Sequence, residues 1–220
     1  MLNGANHFAY GAHGRWEIIA AQTCTLQGDG SYVLTNLLRG RAGTEWAMST
    51  HVSGDAVIAL DTSLSFLTSN TNSIGLARSY QAVTAGRAIS SSASDQVAFT
   101  YSAVNLKPLS PVYLNGNRHP TTNDWTLTWI RRTRIGGAWR DLVDASLGEA
   151  SELYDVEIYS SGAYTTLKRT LSALTGQTAA YTSAQQVTDF GSNQATLYVK
   201  IYQLSATVGR GNPLITSITR

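Results

Sequence analysis

The sequence predicts an all-β fold, and the main observation is a hydrophobic period of two. Short segments rich in β-branched and aromatic residues alternate with clusters of Gly, Asn, Asp and Ser. The segments are WEIIAAQTCTL, SYVLTNLL, DAVIALD, RSYQAVT and QVAFTYSAV in the first half, and DWTLTWI, LYDVEIY and TLYVKIYQLS in the second. A single helix of one or two turns is predicted, with Thr44 as the cap of EWAMSTH and Gly54 as its end.

A domain boundary is predicted near residue 106. All four prolines lie beyond residue 105, and LKPLSP is an extended stretch typical of a junction between domains. Five basic and six acidic residues precede residue 106, whereas eleven basic and eight acidic residues follow from there on. We therefore expect a small β domain over 1–105 and a second β domain over 106–220.

The second domain has the strand pattern of a β-sandwich. Its strands place apolar side chains at every second position, which predicts two facing sheets. The predicted inward residues are Leu127, Trp129, Tyr154, Val156, Ile158, Leu197, Val199 and Ile201. With its LTW and YDVEIY strands and its ending ATLYVKIYQLSATVGRGNP, this segment resembles a fibronectin type III domain. It departs in lacking a corner tyrosine at 195 or 197, and in the long connection RRTRIGGAWRDLVDASLGEASE.

Composition excludes several partners and compartments. A formal net charge of +2 gives no general attraction to nucleic acid or to an anionic membrane. No apolar run approaches the roughly 18 residues of a membrane span, and the start MLNGANHFAYGAHG lacks the pattern of a signal peptide. Cys24 is the single cysteine, which excludes an intramolecular disulfide. We expect a soluble chain with no nucleic-acid partner and no membrane insertion.

No catalytic motif is present in the sequence. The phosphate-binding patterns GxxxxGK[ST] and GxGxxG and the hydrolase patterns HExxH and GxSxG do not occur in a fitting context. The histidines His7, His13, His51 and His119 lack metal-ligand spacing, and we interpret each as a surface or core hydrogen-bonding residue. The carboxylates that might form a glycosidase pair, Asp61, Glu149, Glu152 and Asp155, are better interpreted as solvated loop charges. We expect no enzyme activity, catalytic residue, metal or cofactor.

The stretch LLRGRAGTE places two arginines and two glycines directly after an apolar strand. Gly40 and Gly43 permit a tight reversal, and Arg39 and Arg41 have planar donor groups suited to neighbouring carbonyls or carboxylates. The motif residues are Arg39, Gly40, Arg41, Gly43, Thr44 and Glu45. Three roles stay open for them: a loop fixed within one subunit, a contact between subunits, or a ligand site.

Longer strings resemble one family over almost the whole chain. The strings are HGRWEII, YVLTNLLRGRAGTE, His51, GDAVIALD, RSYQAVTAGR, LKPLSPVYL and LTWIRRTRIGGAWRD. They are similar to the C-terminal region of the large baseplate hub proteins, or megatron proteins, of gene transfer agents and long-tailed phages. The resemblance implies a structural protein of a trimeric tail tip, made in the bacterial host cytoplasm and located in the virion with other tail-tip proteins. The upstream TIM-barrel-like segment of that family has no counterpart here.

A carbohydrate-binding module is the alternative function. Trp46, Trp139, Tyr159 and Tyr164 are candidates for exposed rings that stack on sugar faces. Ordinary β-domain cores use the same residue types, so these aromatics do not decide between the two functions. The two functions are compatible, because a tail tip can touch the surface polysaccharide of a host.

The long connection in the second domain is predicted to contain a hairpin. LTWIRRTRI and AWRDLVD flank Gly136 and Gly137, a pair that suits a two-residue turn. Its arginines are either balanced by acids of the same loop, or they contact neighbouring chains with Trp139 as an apolar anchor. The candidate interface residues are Arg131, Arg132, Arg134, Trp139 and Arg140.

Overall fold

The computed structural model describes residues 6–90, 96–137 and 141–220. Over this part the chain is nearly all β, as the sequence predicts. The first strands are β1 His7–Gly11, β2 Glu17–Leu26, β3 Tyr32–Arg41, β4 Ala56–Ala59, β5 Ala77–Gln81 and β6 Gln96–Thr100. The later elements are β7 Val112–Arg118, β8 Trp125–Ile130, β9 Leu153–Tyr159, β10 Leu167–Thr175, β11 Thr178–Tyr181, helix α1 Ser183–Phe190, β12 Thr196–Ser205, β13 Gly209–Arg210 and β14 Leu214–Thr219.

The first sheet is antiparallel with the strand order β3-β2-β1-β4. Its fully buried hydrophobic side chains lie on the first half of β2, at Ile19, Ala20 and Ala21, and Glu17 is buried beside them. The second half of β2 and most of β3 form a long exposed hairpin. The buried part of this sheet therefore lies at the N-terminal half of β2.

The second half of the chain forms two sheets that face each other across one core, as the sequence predicts, and the likeness to a fibronectin type III domain stays a prediction. A sheet of order β11-β8-β7 packs against a sheet in which β9 lies between β10 and β12, and β12 also pairs with β13 and β14. All eight predicted inward residues lie in one buried core with Trp125, Ala179 and Tyr181. The alternation of buried and exposed residues along β8 is complete, as expected for a strand with one face in a core.

The contacts group Met1–Leu64 with Lys107–Arg220, and Ser65–Leu106 forms a second unit. Within the described part of the second unit, Ala103 is buried and the β5–β6 ribbon is largely exposed. The predicted boundary near residue 106 coincides with the C-terminal end of this unit. The division into domains 1–105 and 106–220 stays a prediction. Contacts between residues do not show whether each segment folds independently.

The predicted helix after Gly43 is shorter than expected and is not capped by Thr44. It is a single 3-10 turn over Glu45–Ala47, and the Thr44 side chain makes no capping bond. Instead, the Thr44 hydroxyl donates to the carbonyl of Arg41 at 2.7 Å and accepts from the N–H of Ile18 at 2.9 Å. Thr44 therefore ties the turn to β2, and this competing bond removes it as a cap.

Helix α1 is missing from the sequence prediction, although its ends carry clear signals. The Thr182 side chain accepts from the Gln185 N–H and the Gln185 side chain accepts from the Thr182 N–H, which is a capping box. Gly191 ends the helix with a φ of 77°. The helix is only eight residues long, so its apolar periodicity is too brief to stand out among the strands.

The hairpin predicted in the long connection is wrong. Residues 131–137 and 141–152 contain no strand, and β8 ends at Ile130 before the arginine-rich stretch begins. The predicted pairing fails because Arg131 and Arg134 bind carbonyls and carboxylates within the loop, which holds the chain in irregular turns. In the ranges that the structure describes, no helix is long and apolar enough to cross a membrane.

We predict that limited proteolysis cuts first within residues 65–106. Exposed backbone with little buried apolar surface is cleaved most readily, whereas Pro108 in LKPLSP is buried. Mass spectrometry of the first products is the measurement, and a first cut inside LKPLSP would contradict it. Whether fragments ending near 64 and beginning near 107 then separate on a sizing column tests the predicted two-domain division.

A buried carboxylate cluster as the candidate functional site

The carboxylate of Glu17, on β2, lies at the centre of the N-terminal part of the structure. Its side chain has no exposed surface. Arg39 donates to both of its oxygens, from Nε at 2.8 Å and from Nη2 at 2.6 Å. The backbone N–H of Gly40 donates to Oε1 at 2.6 Å, and Nε2 of His51 lies 2.6 Å from Oε2. A carboxylate with this many partners is fully satisfied, as burial of a charge requires.

A β-bulge aims the Gly40 N–H at Glu17. Ile18 pairs with Arg41 and Ala20 pairs with Leu38, so β3 has one residue more than β2 over this interval. Gly40 takes a φ of 60°, which glycine adopts without strain. A Cβ at this position would lie 2.8 Å from Cγ of Glu45. The RGR sequence therefore supplies a side-chain donor and a backbone donor to the same buried acid.

A second ion pair lies beside the first. Arg15 binds the Asp55 carboxylate through both terminal nitrogens and donates to the Thr50 carbonyl at 2.8 Å. The Val52 N–H also donates to Asp55, at 3.0 Å. These bonds fix the segment that follows the 3-10 turn against the start of β2.

His51 joins the two ion pairs. Its Nδ1 lies 3.5 Å from Oδ2 of Asp55, and its ring stacks on Tyr10 with 3.9 Å between centroids. We call Arg15, Glu17, Arg39, His51 and Asp55 the carboxylate cluster. The interpretation of His51 as a core hydrogen-bonding residue is confirmed.

The electrostatics of the cluster favour charged carboxylates. Burial acts to raise the pKa of Glu17, but hydrogen bonds from Arg39, the Gly40 N–H and His51 outweigh it and lower the pKa to about 2. The hydrogen bond from Arg15 is the main reason that the pKa of Asp55 lies below its usual range. Both acids are therefore ionised at neutral pH and bind their arginines as ions.

The cluster has the chemistry of a structural centre. The two carboxylates are occupied by arginines, and the described hydrogen bond of His51 goes to Glu17 and involves no hydroxyl or thiol that the imidazole could activate. Within 6–90, 96–137 and 141–220, no group of three or more His, Cys, Asp or Glu side chains is placed to hold a metal ion. That the chain is not an enzyme remains an expectation from the sequence.

The far end of the motif contacts the sandwich part of the same unit. Glu45 pairs with Arg132 at 2.7 Å, and Arg132 also donates from Nε to the Ser110 carbonyl at 2.7 Å. Asn212 donates from its side chain to the Gly43 carbonyl at 3.1 Å. Glu45 and Arg132 were predicted as members of two separate sites, and the structure brings them together.

Arg131 and Arg134 of the long loop bind partners within the loop, whereas the Arg41 side chain of the motif has no described partner. Arg131 binds Asp144 and the carbonyls of Ala145 and Ser146, and Arg134 binds Glu149 at 3.1 Å. These bonds favour the interpretation of a loop balanced by its own acids. Trp139 and Arg140 lie outside the described residues. No described hydrogen bond or ion pair involves the Arg41 side chain, and a contact of these residues with neighbouring chains stays a prediction.

Two of the carboxylates interpreted as solvated loop charges are buried. The Glu149 side chain is 6% exposed beside Arg134. Asp155 lies on β9 and pairs with Arg210 at 2.8 Å, next to Glu157, which pairs with the same arginine at 2.6 Å. The prediction was wrong for these residues, since each has an arginine that replaces water as its partner.

Of the three aromatic candidates that the structure describes, Tyr159 and Tyr164 pack against other side chains and Trp46 is exposed. Tyr159 is 8% exposed, donates to Glu157 at 2.6 Å and has the Lys200 ammonium 4.7 Å from its ring centroid. Tyr164 packs edge-on against it at 5.7 Å. Trp46 is 42% exposed and is the described candidate with a free ring surface.

Glu17, Arg15 and Asp55 were not predicted from the sequence as members of a site. Each is an ordinary charged residue in or beside a strand, and their partners are 22 to 40 positions away along the chain. A usable signal was Glu17 itself, because a lone acid between apolar residues in WEIIAA points towards an interior that rarely accepts an unpaired charge.

We predict that Glu17→Gln destabilises the fold by about 3–5 kcal/mol, because Arg39 is left with no buried counter-charge and an amide N–H is turned towards other donors. The matched control is Glu45→Gln, at a side chain that is 37% exposed, which should cost about 0–1 kcal/mol. Chemical denaturation followed by circular dichroism measures both, and equal losses would contradict a central role for Glu17.

We predict that Gly40→Ala costs clearly more stability than Gly30→Ala. Both glycines have positive φ, 60° and 84°, so each substitution carries about 1–2 kcal/mol of backbone strain. Only at Gly40 does the new Cβ meet atoms of Glu45 and Met48, because nothing lies within 4 Å at Gly30. Thermal unfolding of the two variants gives the comparison, and equal melting temperatures would show that the bulge tolerates a side chain.

The carboxylate cluster lies wholly within the region that matches a known family. Residues 1–58 match the family described as Rcc01698-like, C-terminal, which is associated with gene transfer agents. The match covers about a quarter of the 220 residues. No curated protein matches the chain. The N-terminal part of the chain is thus similar to a gene-transfer-agent-associated domain whose interior, in this protein, is organised by Glu17.

Proposed function

We propose that the chain is a structural component of the tail tip or baseplate hub of a gene transfer agent or related long-tailed phage. The observation that carries the proposal is that the region 1–58 matches a gene-transfer-agent-associated family and contains every residue of the carboxylate cluster. The hub strings LLRGRAGTE and GDAVIALD lie in or next to this region.

The chemistry of the cluster supports a role in assembly. The charged groups of the cluster bind one another and fix the end of β3 against the start of β2, which makes this part of the fold rigid. No described group of the cluster is left free to bind a substrate. The same corner is tied to the sandwich part through Glu45 and Arg132. A rigid connection between the family-matched N-terminal part and a β-sandwich suits a structural component that contacts neighbouring proteins in a particle.

The carbohydrate-binding alternative has weaker support. Tyr159 is covered by Lys200 and Tyr164, and a stacking platform for sugars needs an open ring face. Trp46 alone does not make a built glycan site.

The test is immunogold electron microscopy of particles from the source organism, with antibody raised against the purified chain. We expect gold at the tip of the tail and the chain in the protein profile of purified particles. Absence of the chain from purified particles would overturn the proposal, as would labelling confined to the capsid. A glycan array with the purified chain separates the alternative, because saturable sugar binding without particle labelling would favour a carbohydrate-binding module.

A further inference from the structure

The two ring nitrogens of His51 face two different acids. Nε2 lies 2.6 Å from Oε2 of Glu17, and Nδ1 lies 3.5 Å from Oδ2 of Asp55. The side chain is 8% exposed, and its Nδ1 is buried and forms no hydrogen bond with any residue that the structure describes. The ring is therefore bonded to one acid and only close to the other.

The protonation state of the ring explains this difference. Glu17 is ionised at neutral pH and its oxygens only accept, so the bond at 2.6 Å requires a proton on Nε2. A neutral imidazole has one N–H, which leaves a lone pair on Nδ1. Asp55 is ionised as well, so two acceptors face each other at the second contact. With a neutral ring, no hydrogen bond forms between Nδ1 and Asp55.

A proton on Nδ1 changes this contact without moving the ring. The ring is held by its stacking on Tyr10, with 3.9 Å between centroids, and by the bond to Glu17. Histidine is the side chain that commonly gains a proton between about pH 8 and pH 5. The pKa values of Glu17 and Asp55 lie below their usual range, so both acids keep their charge over that interval.

The charged groups around the ring come from four elements. Glu17 lies on β2, Arg39 on β3, Asp55 on the segment that follows His51, and Arg15 between β1 and β2. Each arginine is bound to one of the acids, so the formal charges of these four groups cancel. Both ring nitrogens contact carboxylate oxygens, and a charged donor strengthens such contacts.

We propose that His51 is a proton-operated clamp, in which Nδ1 takes up a proton from water and donates it in a hydrogen bond to Asp55. The imidazolium ring then joins the Arg39–Glu17 and Arg15–Asp55 ion pairs in one network, and it fixes the segment 51–55 more tightly against β2 in mildly acidic solution. This response is a property of the folded chain and does not rest on the tail-tip role.

NMR of the chain with nitrogen-15-labelled histidine rings tests the proposal on the unmodified protein. We expect the His51 ring to be the Nε2–H tautomer at about pH 8 and to carry both protons at about pH 5.5. Its Nδ1–H signal should be visible, because a buried hydrogen bond slows exchange with water. His13 is exposed and serves as the control, since its ring N–H should exchange too fast to be seen. A His51 ring with one protonation state at both pH values, or an Nδ1–H that exchanges as fast as that of His13, would overturn the proposal.

Hydrogen exchange of the Val52 N–H measures the clamp, because this group donates to Asp55. After correction for intrinsic exchange, its protection should rise by about tenfold from about pH 8 to about pH 5.5, as a charge-assisted hydrogen bond allows. The variant His51→Gln keeps an amide donor for Glu17 but has no titrating ring, so the rise should vanish.

The matched control is His13→Gln, which should retain the tenfold rise. Each variant is compared with itself at two pH values, so a general loss of stability does not imitate the result. An equal rise in His51→Gln and in the unmodified chain would show that other groups produce the response, and it would contradict the clamp.

Discussion

The buried carboxylate of Glu17 is the constraint on which the N-terminal half of the structure depends. A fully buried charge needs an opposite charge and hydrogen bonds beside it, because without them the free energy of unfolding falls by several kcal/mol. Arg39, the Gly40 N–H and His51 form hydrogen bonds with this carboxylate, although they lie 22, 23 and 34 residues further along the chain. Those bonds dictate the bulge in β3, the positive φ of Gly40 and the path of the segment up to His51.

The corner built on Glu17 also joins two parts of one contact unit. Thr44 bonds to β2, Gly43 accepts from Asn212, and Glu45 pairs with Arg132 at the base of the long loop. The RGRAGTE stretch therefore uses its first half to satisfy a buried acid and its second half to contact the sandwich part. Because the motif both binds the buried acid and contacts the sandwich part, it needs charged side chains and glycines close together in the sequence.

The sequence predicted the features that follow from period and turn chemistry. The alternation in β8, β9 and β12 identified Leu127, Val156 and Val199 as core residues, and they are buried. It did not predict the cluster, because pairing of Glu17 with Arg39 is a property of register across two strands. Register shifts by one residue at the bulge, and no local pattern encodes which long-range partners such a shift brings together.

The errors have equally specific causes. Gly136 and Gly137 suggested a hairpin, but the neighbouring arginines bind loop acids and carbonyls that a ladder would leave unpaired. Thr44 suggested a helix cap, but its hydroxyl bonds to Arg41 and Ile18. In both places the local pattern predicted regular secondary structure. The polar side chains instead form hydrogen bonds with loop or more distant residues, which stabilise a different local conformation.

Direct titration of the Glu17 carboxyl by NMR tests the central claim most directly. A folded-state pKa below the unfolded value means that Glu17 contributes stability above about pH 4.3, the ordinary value for Glu, and that this stability is lost as the pH falls towards 2. We expect the Glu17 carboxyl signal to titrate with a pKa of about 2. A pKa near the ordinary value for glutamate would contradict the account, because it would show that Arg39, Gly40 and His51 do not hold the charge.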